Sequence, residues 1–402
     1  MRPGLSERWL DCQLSDIGVF TKGKGIRKDE VVPYGTPCVR YGEIYTHYND
    51  YIREFRSFIP DEVALESCRI MRGDLLFAGS GETAEDIGKC VAFLGEEEAY
   101  AGGDIVIFTP YGQDSMYLGY LMNHSSITCQ KARMAQGDAV VHISAANLGQ
   151  LQLSLPPLSE KRAIASALSD VDALISSLDK LIAKKRDIKQ AAMQQLLTGR
   201  RRLPGFSGRW EERRLEDVAA LDSENLGGDT PRDYEFNYVS LEDVNRGILR
   251  GYANQLFSSA PSRARRVIRS GDVLVSTVRP NLGSHLLFKS SSPDWICSTG
   301  FSVVRCVEDA ACPGYVFYHL FGDYVTRQID AQLTGSSYPA ISSKDVGNLR
   351  MPFPSIDEQR AIASVLSDMD AEIEALERRR DKTWLLKQGM MQELLTGRVR
   401  LV

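Results

Sequence analysis

Basic side chains cluster at two places in the chain, and lysine and arginine neutralise the phosphate groups of nucleic acids. The first cluster surrounds the glycines of TKGKGIRK and comprises Lys22, Lys24, Arg27 and Lys28. The second comprises Arg263, Arg265, Arg266 and Arg269, and Arg279 and Asn281 follow it in STVRPN. Arginine and asparagine on loops can also hydrogen-bond to guanine and adenine edges. Together the clusters predict a DNA-binding surface, although an ordinary solvated loop would explain any single member.

Polar residues beside glycines extend this predicted surface. Ser80, Glu82 and Thr83 lie at the end of RGDLLFAGSGET, and Ser336, Ser337 and Tyr338 follow Gly335 in the second half of the chain. Glycine and serine in such clusters are typical of loops. Because loops carry recognition residues more often than the elements they connect, we add these six residues to the DNA-binding prediction.

Three patterns could indicate catalysis or cofactor binding, and none is complete. FAGSG at residues 77–81 is similar to the F-x-G-x-G loop of S-adenosylmethionine-dependent methyltransferases, but no N/D-P-P-Y/F tetrapeptide accompanies it. GKC at residues 88–90 lacks the upstream glycine and the serine or threonine of a phosphate-binding loop. The histidines at 47, 124, 142, 285 and 319 show no metal-ligand spacing. We therefore predict no catalytic residue, no metal site and no cofactor bound by this chain.

The element that must position these loops is a long segment that occurs twice. Residues 156–203 recur as residues 354–401, with an offset of 198 residues (361 − 163, from Ala163 and Ala361) and about half of the paired positions identical. Apolar residues repeat at alternating steps of four and three, which is typical of a coiled-coil helix. The predicted seam consists of Ile164, Leu168, Val171, Ile175 and Leu178 in one copy and Ile362, Leu366, Met369, Ile373 and Leu376 in the other.

The seam is interrupted in its second half. Lys185 replaces an apolar residue, and Arg378, Arg379 and Arg380 form a basic run in the other copy. A solvated helix face explains these charges. The alternative is a docking surface for another subunit or for DNA, which the apolar residues Trp384, Met390 and Met391 would support.

A second repeat fixes the domain order. The phrase PGLSERW from Pro3 recurs as PGFSGRW from Pro204, directly after the first long helix. We therefore predict one arm at residues 1–157, a helix at 158–203, a second arm at 204–355 and a second helix at 356–402. Short strands and turns within the arms predict an α+β fold, in which two pseudo-twofold-related α/β domains are joined by two long antiparallel coiled-coil helices.

Composition limits the class of protein. A hydrophobic content of 43% and a charged content of 25% are ordinary for a globular protein. The net charge of −5 means that any DNA binding must come from local patches. No apolar run of membrane-spanning length and no signal segment are apparent, and the eight cysteines form no C-x-x-C pair. We expect a cytoplasmic protein with reduced thiols.

These repeats resemble the specificity subunits of type I restriction–modification systems over essentially the whole chain. The similarity lies in the doubled helix ending in LLTGRRRL and LLTGRVRL, the tryptophan near the start of each arm, and GDLLFAGSGETAEDIGKC in the first arm. The resemblance implies two target-recognition domains, each reading one half of a split site in double-stranded DNA. It also implies two modification subunits that carry S-adenosylmethionine, and a restriction subunit using ATP and Mg that can join them.

Two other hypotheses remain open from the sequence. One is a self-contained S-adenosylmethionine-dependent DNA methyltransferase, which rests on FAGSG alone. The other is a coiled-coil scaffold that bridges proteins without touching DNA. Binding of S-adenosylmethionine by the isolated chain would favour the first. Salt-dependent DNA binding by the assembled complex would exclude the second.

Overall fold

The structure is a computed structural model that describes residues 8–137, 140–334 and 339–401. It divides into two compact units, unit 1 (Met1–Leu178 with Arg379–Val402) and unit 2 (Asp179–Arg378). Each unit thus contains one arm together with parts of both long helices. The boundaries between the units fall inside the helices.

The first arm and the helix that follows it contain the elements β1 to β13 and α1 to α6. The strands are β1 (Leu10–Gln13), β2 (Gly18–Lys22), β3 (Thr36–Val39), β4 (Tyr51–Ile52), β5 (Ser57–Ile59), β6 (Cys68–Ile70), β7 (Leu75–Ala78), β8 (Ser80–Gly81), β9 (Cys90–Phe93), β10 (Ala99–Ala101), β11 (Ile105–Pro110), β12 (Val141–His142) and β13 (Gln152–Leu155). The helices are α1 (Tyr41–Thr46), α2 (Asp61–Glu66), α3 (Ser115–Asn123), α4 (Ser125–Arg133), α5 (Ala145–Gly149) and α6 (Leu158–Leu196).

The second arm and its helix contain the elements β14 to β25 and α7 to α10. The strands are β14 (Glu211–Arg214), β15 (Ala219–Leu221), β16 (Glu235–Val239), β17 (Val244–Asn245), β18 (Ile248–Leu249), β19 (Ala253–Leu256), β20 (Ala264–Ile268), β21 (Val273–Ser276), β22 (Leu286–Leu287), β23 (Trp295–Ser298), β24 (Phe301–Cys306) and β25 (Arg350–Phe353). The helices are α7 (Pro313–His319), α8 (Asp323–Gln332), α9 (Ser343–Asn348) and α10 (Ile356–Leu394).

The arms are built on similar sheets. Unit 1 has a five-stranded sheet in the order β2-β11-β7-β9-β4 and a four-stranded sheet in the order β5-β3-β10-β6. Unit 2 has four-stranded sheets in the orders β15-β24-β21-β22 and β19-β16-β23-β20. In each unit the first and last strands of the arm form a separate antiparallel pair, β1 with β13 and β14 with β25.

The central strands are apolar runs because both of their faces are covered. In β7, Leu75 and Phe77 face the core that contains α3 and α4, while Leu76 and Ala78 face a second core on the opposite side of the sheet. In β21, Val273 and Val275 alternate with Leu274 in the same manner. The period-two alternation of strand side chains therefore places one apolar layer on each side of both central strands.

The two long helices run antiparallel within each unit. In unit 1 the start of α6, at Ile164 and Leu168, shares a hydrophobic core with the end of α10, at Met391, Leu394 and Leu395. In unit 2 the end of α6, at Met193, Leu196 and Leu197, packs in one core with the start of α10, at Ile362 and Leu366. The seam residues Leu178 and Ile373 are buried, while Val171, Ile175, Met369 and Leu376 are half-buried. Lys185, which interrupts the predicted seam, lies 2.6 Å from Glu372 within unit 2.

Each long helix is followed closely by a glycine that packs against the tryptophan of an arm. Gly199 and Gly397 have φ angles of +67° and +71°, the left-handed conformation in which glycine is favoured at a helix C-terminus. A Cβ atom on Gly397 would lie 3.1 Å from the ring of Trp9, and one on Gly199 would lie 3.4 Å from Trp210. The LLTG phrase and the tryptophan that recurs with it are therefore parts of one joint between helix and arm.

A tyrosine, an aspartate and a lysine fasten each arm to both helices. In unit 1, the Tyr120 hydroxyl donates to Asp172 of α6 at 2.6 Å, and Lys387 of α10 lies 2.8 Å from the same carboxylate. In unit 2, the Tyr318 hydroxyl donates to Asp370 of α10 at 2.8 Å, and Lys189 of α6 lies 2.5 Å from that carboxylate. We call each of these a Tyr-Asp-Lys cluster. In both, the tyrosine comes from the arm and the lysine and aspartate come from different helices.

Candidate DNA interface

The first candidate element is the loop between β7 and β9, residues 79–89, which we call the unit 1 loop. Its start is held by backbone hydrogen bonds, since the Gly79 amide donates to Asp104 at 2.7 Å and the Ile143 amide donates to Gly79 at 3.0 Å. Ser80 and Gly81 form β8, which pairs with β12. Ser80 is buried, and its hydroxyl oxygen lies 2.9 Å from Nδ1 of His142. Its side chain therefore secures the base of the loop.

The tip of the unit 1 loop is exposed and turns on itself. Glu82 and Thr83, both predicted to contact DNA, are solvent-exposed. The Thr83 hydroxyl donates to Asp86 at 3.0 Å, and the Asp86 amide donates back to that hydroxyl at 3.3 Å. At the far end, the Lys89 amine donates to the carbonyl of Tyr48 at 2.7 Å. The unit 1 loop therefore has a base held by hydrogen bonds and an exposed, polar tip.

The first basic cluster lies at the same edge of the five-stranded sheet as this loop. Lys22 ends β2 and pairs with Val106 of β11, while Ala78 ends β7 and pairs with Ile105. Beyond β2, the Gly23 amide donates to Ile105 at 2.8 Å, and a Cβ atom there would lie 2.0 Å from the Gly102 carbonyl oxygen. Lys22, Lys24, Arg27 and Lys28 are all exposed. The structure therefore brings the two predicted groups of unit 1 to adjacent loops at one sheet edge.

The arginines of the second cluster differ in their surroundings. Arg266 forms an ion pair with Asp222 at 2.8 Å, and Arg269 forms one with Glu224 at 2.8 Å. The Arg265 guanidinium carbon lies 4.8 Å from the centroid of the Phe257 ring. Arg263 is exposed, and its carbonyl accepts from the Thr299 amide at 2.8 Å. Three members of this cluster are thus engaged within the protein, a pairing that sequence spacing alone does not indicate.

The equivalent loop of unit 2 follows β21. The Thr277 amide donates to Gly300 at 2.8 Å, as Gly79 does to Asp104 in unit 1. Arg279 and Asn281 are exposed, and Arg279 has a φ angle of +48°, which is uncommon for a residue other than glycine. Its amide donates to Pro339 at 2.7 Å. The predicted residues Ser336, Ser337 and Tyr338 lie outside the described residues.

The buried histidines are structural. His285 accepts a hydrogen bond from the Ser276 amide at 3.1 Å, and burial lowers its pKa to about 4. Burial likewise lowers the pKa of His319 to about 3. Both rings are therefore neutral near pH 7.

Within residues 8–137, 140–334 and 339–401, no group of three or more His, Cys, Asp or Glu side chains is arranged to hold a metal ion. In the same residues, no helix is long and apolar enough to span a membrane.

Two arms with exposed polar loops, each fastened to parts of both long helices, define a class of protein with two similar domains and a pair of long helices. The family model described as "Type I restriction modification DNA specificity domain" matches residues 6–185 and 208–382. The chain belongs to this family. It is a DNA sequence-recognition subunit that directs a restriction–modification complex to DNA. The resemblance seen in the sequence is therefore confirmed.

Two relatives agree with this assignment, and one solved structure shares the fold. The chain is 27% identical to the putative type I restriction enzyme MjaX specificity subunit of Methanocaldococcus jannaschii, over 98% of this chain and 95% of that protein. It is 22% identical to the MjaVIII specificity subunit of the same organism, with 98% and 93% covered. The crystal structure of a type I restriction–modification S subunit from M. genitalium matches with a TM-score of 0.62 at 15% identity, covering 98% of this chain and 97% of that one. At this identity, the structural likeness shows the fold alone.

Proposed function

We propose that each unit reads one half of a bipartite, asymmetric DNA target. The observation that carries this proposal is the shared position of unlike loops. Both units present a loop after the equivalent central strand, but unit 1 offers Glu82 and Thr83 where unit 2 offers Arg279 and Asn281. Different donors and acceptors select different base edges in the major groove. The two half-sites should therefore differ in sequence.

The long helices set the length of the unread spacer between the half-sites. Both α6 and α10 contain 39 residues, and each contributes to both units. A change in helix length should therefore alter the spacer without changing the bases that are read.

Cytoplasmic function is in keeping with eight cysteines that are all free thiols.

Two modification subunits dock on the helical region and supply the methyl-transfer chemistry with S-adenosylmethionine. Supporting this, α10 exposes Trp384, Leu385 and Leu386 consecutively, a density of exposed apolar side chains typical of a protein interface. Met391, which with Trp384 and Met390 would have supported the docking alternative, is buried in the core of unit 1. Restriction subunits that use ATP and Mg can join the same complex.

The test is base-resolution mapping of methylated adenine in the host genome, with the gene intact, deleted, or lengthened. Deletion should remove one gapped, asymmetric motif with a methylated adenine on each strand. Insertion of one heptad at matched positions in both helices keeps the apolar register and adds about 10 Å. The spacer should then grow by about three base pairs, at ~3.4 Å per step, with both half-sites unchanged.

Survival of every methylated motif after deletion would contradict the proposed function. An unchanged spacer in the lengthened protein would contradict the role of the helices while leaving recognition by the arms intact. Insertion of two residues, which rotates the apolar face beyond it by about 200°, serves as the matched control and should impair assembly.

A further inference from the structure

A lysine lies entirely buried beneath the unit 1 loop. Lys131, on α4, has no exposed surface, and its amine donates to the carbonyl oxygen of Gly88 at 2.6 Å. Gly88 ends the loop in a left-handed conformation with φ +69°, and a Cβ atom there would lie 3.0 Å from Cδ of Lys131. The lysine stem therefore packs directly against the loop backbone. A buried cation is costly, so its presence at this position requires an explanation.

The second arm shows that the fold does not need a lysine there. Gln130 and Gln328 occupy equivalent places, since each side chain bridges to the first residue of the last arm strand by two hydrogen bonds, with Gln152 at 2.9 and 3.1 Å and with Arg350 at 2.8 and 2.9 Å. The next residue is Lys131 in unit 1 and Ile329 in unit 2, and both are buried. An aliphatic side chain thus fills the same site in a closely similar core.

The amine therefore contributes something that only the first arm uses, and its contact is the carbonyl at the end of the unit 1 loop. The loop that ends at the equivalent glycine, Gly283, is closed in another way: its amide donates to Pro280 at 2.9 Å, and the Phe321 ring lies 3.5 Å from the position of a Cβ atom. The two loops differ in length and sequence, and so do the side chains beneath them.

We infer that Lys131 is a positioning residue that holds the unit 1 loop in the conformation that reads one DNA half-site. The lysine fixes one end of the loop, and the contact of Ser80 with His142 fixes the other. Between these points lies the exposed tip with Glu82 and Thr83. The inference rests on the proposed function, because it requires that this tip contact DNA. Lys131 is then a determinant of specificity although, being buried, it cannot itself touch DNA.

The experiment compares Lys131→Met with Ile329→Met in the assembled modification complex. Methionine is unbranched and nearly as long as lysine, and it removes the hydrogen bond. Methylation rates are measured on the mapped target and on targets with single base-pair substitutions in each half-site. Lys131→Met should lower discrimination in one half-site by about tenfold, the order of magnitude that one well-placed base contact supplies. Ile329→Met should leave both half-sites unchanged.

Two further readouts separate positioning from a general loss of stability. Hydrogen exchange in Lys131→Met should quicken in residues 79–90 and stay slow in α4. Thr83→Ala, at the tip, should relax the same half-site as Lys131→Met. A fall in methylation of all targets alike, or equal relaxation in both half-sites, would overturn the inference.

An aliphatic replacement that copies the other arm, Lys131→Ile, covers a failure of the methionine variant to fold. If both variants fail to assemble, Lys131 is a folding residue and the inference is wrong. Unchanged discrimination in a folded variant overturns it as well, while normal methylation of the target by the wild-type complex would still support the proposed function.

Discussion

The Tyr-Asp-Lys clusters of the two units share their geometry and differ in burial. Both lysines stack near the ring of their tyrosine, with Nζ 5.0 Å from the Tyr120 centroid for Lys387 and 5.3 Å from the Tyr318 centroid for Lys189. Lys387 also lies 2.7 Å from a second carboxylate, Asp50 of the first arm, and its side chain is 7% exposed. The Lys189 side chain is 22% exposed. The frame is thus repeated closely, but in unit 1 a second carboxylate accompanies a more deeply buried cation.

This difference gives the two clusters different roles in stability. Burial opposes the charged form of Lys387, yet Asp50 and Asp172 together raise its pKa above the ordinary value. An ammonium group between two carboxylates offsets its own desolvation and theirs. Lys189 and Asp370 remain partly hydrated, and solvent screens such a pair. The same three residue types therefore make a buried ionic joint in one unit and a semi-exposed one in the other.

The largest predicted effect comes from removing the buried cation. Lys387→Met leaves Asp50 and Asp172 without their common partner, so the free energy of unfolding of unit 1 should fall by about 3–5 kcal/mol. Lys189→Met should lower that of unit 2 by about 1 kcal/mol, because its pair is more exposed. Denaturant titration measures both losses, with hydrogen exchange as the probe of unfolding in each unit. Equal losses would show that the second carboxylate adds nothing to the joint.

The sequence predicts the long helices because their apolar residues recur with a coiled-coil period and the whole segment occurs twice. It predicts the arm strands because β7, β9 and β11 are short apolar runs. It does not predict which charged side chains join the helices to the arms. That arrangement depends on pairs such as Lys387 with Asp172, which lie far apart in the chain. Ser80 also lies deeper than its glycine neighbours suggest, because β8 pairs with β12. The sequence analysis missed Lys131, although aligning the arms at the 198-residue offset would have placed it opposite Ile329.

A smaller effect should appear as a pH dependence that only unit 1 shows. Burial lowers the pKa of Lys131 from 10.5 to about 8. The titratable group that faces it from β9 is Cys90, whose thiol pKa is raised by burial, so that the thiol stays protonated and uncharged in this range. Between pH 8 and 10.5 the unfolded chain binds more protons than the folded one, so stability conferred at this site rises with pH. Below pH 8 the full cost of burying the charge is present.

The measurement is the difference in unfolding free energy between wild type and Lys131→Met across this pH range. The difference should shift in favour of the wild type by on the order of 2–3 kcal/mol from pH 8 to 10.5. Ile329→Met, which has no titrating group, should give a flat difference. A flat profile for Lys131→Met would mean that the amine is hydrated in the folded protein.

The smallest predicted effect separates DNA contact from internal pairing in unit 2. Arg263 is exposed, whereas Arg266 is held by Asp222, whose side chain is 12% exposed. Arg263→Ala should reduce the slope of log K against log salt by about 1 for DNA binding by the complex, because one phosphate contact is lost. Its unfolding free energy should not change.

Arg266→Ala is the matched control. It leaves the Asp222 carboxylate without its cation, so it should lower the stability of unit 2 by about 1 kcal/mol and leave the salt slope as it is. If the two variants exchanged these behaviours, the Arg266–Asp222 ion pair would have to open when DNA binds. The loop after β21 would then share its recognition role with the arginines of the sheet that contains β20. Lys24→Ala extends the comparison to unit 1, where we expect the same loss of slope as in Arg263→Ala.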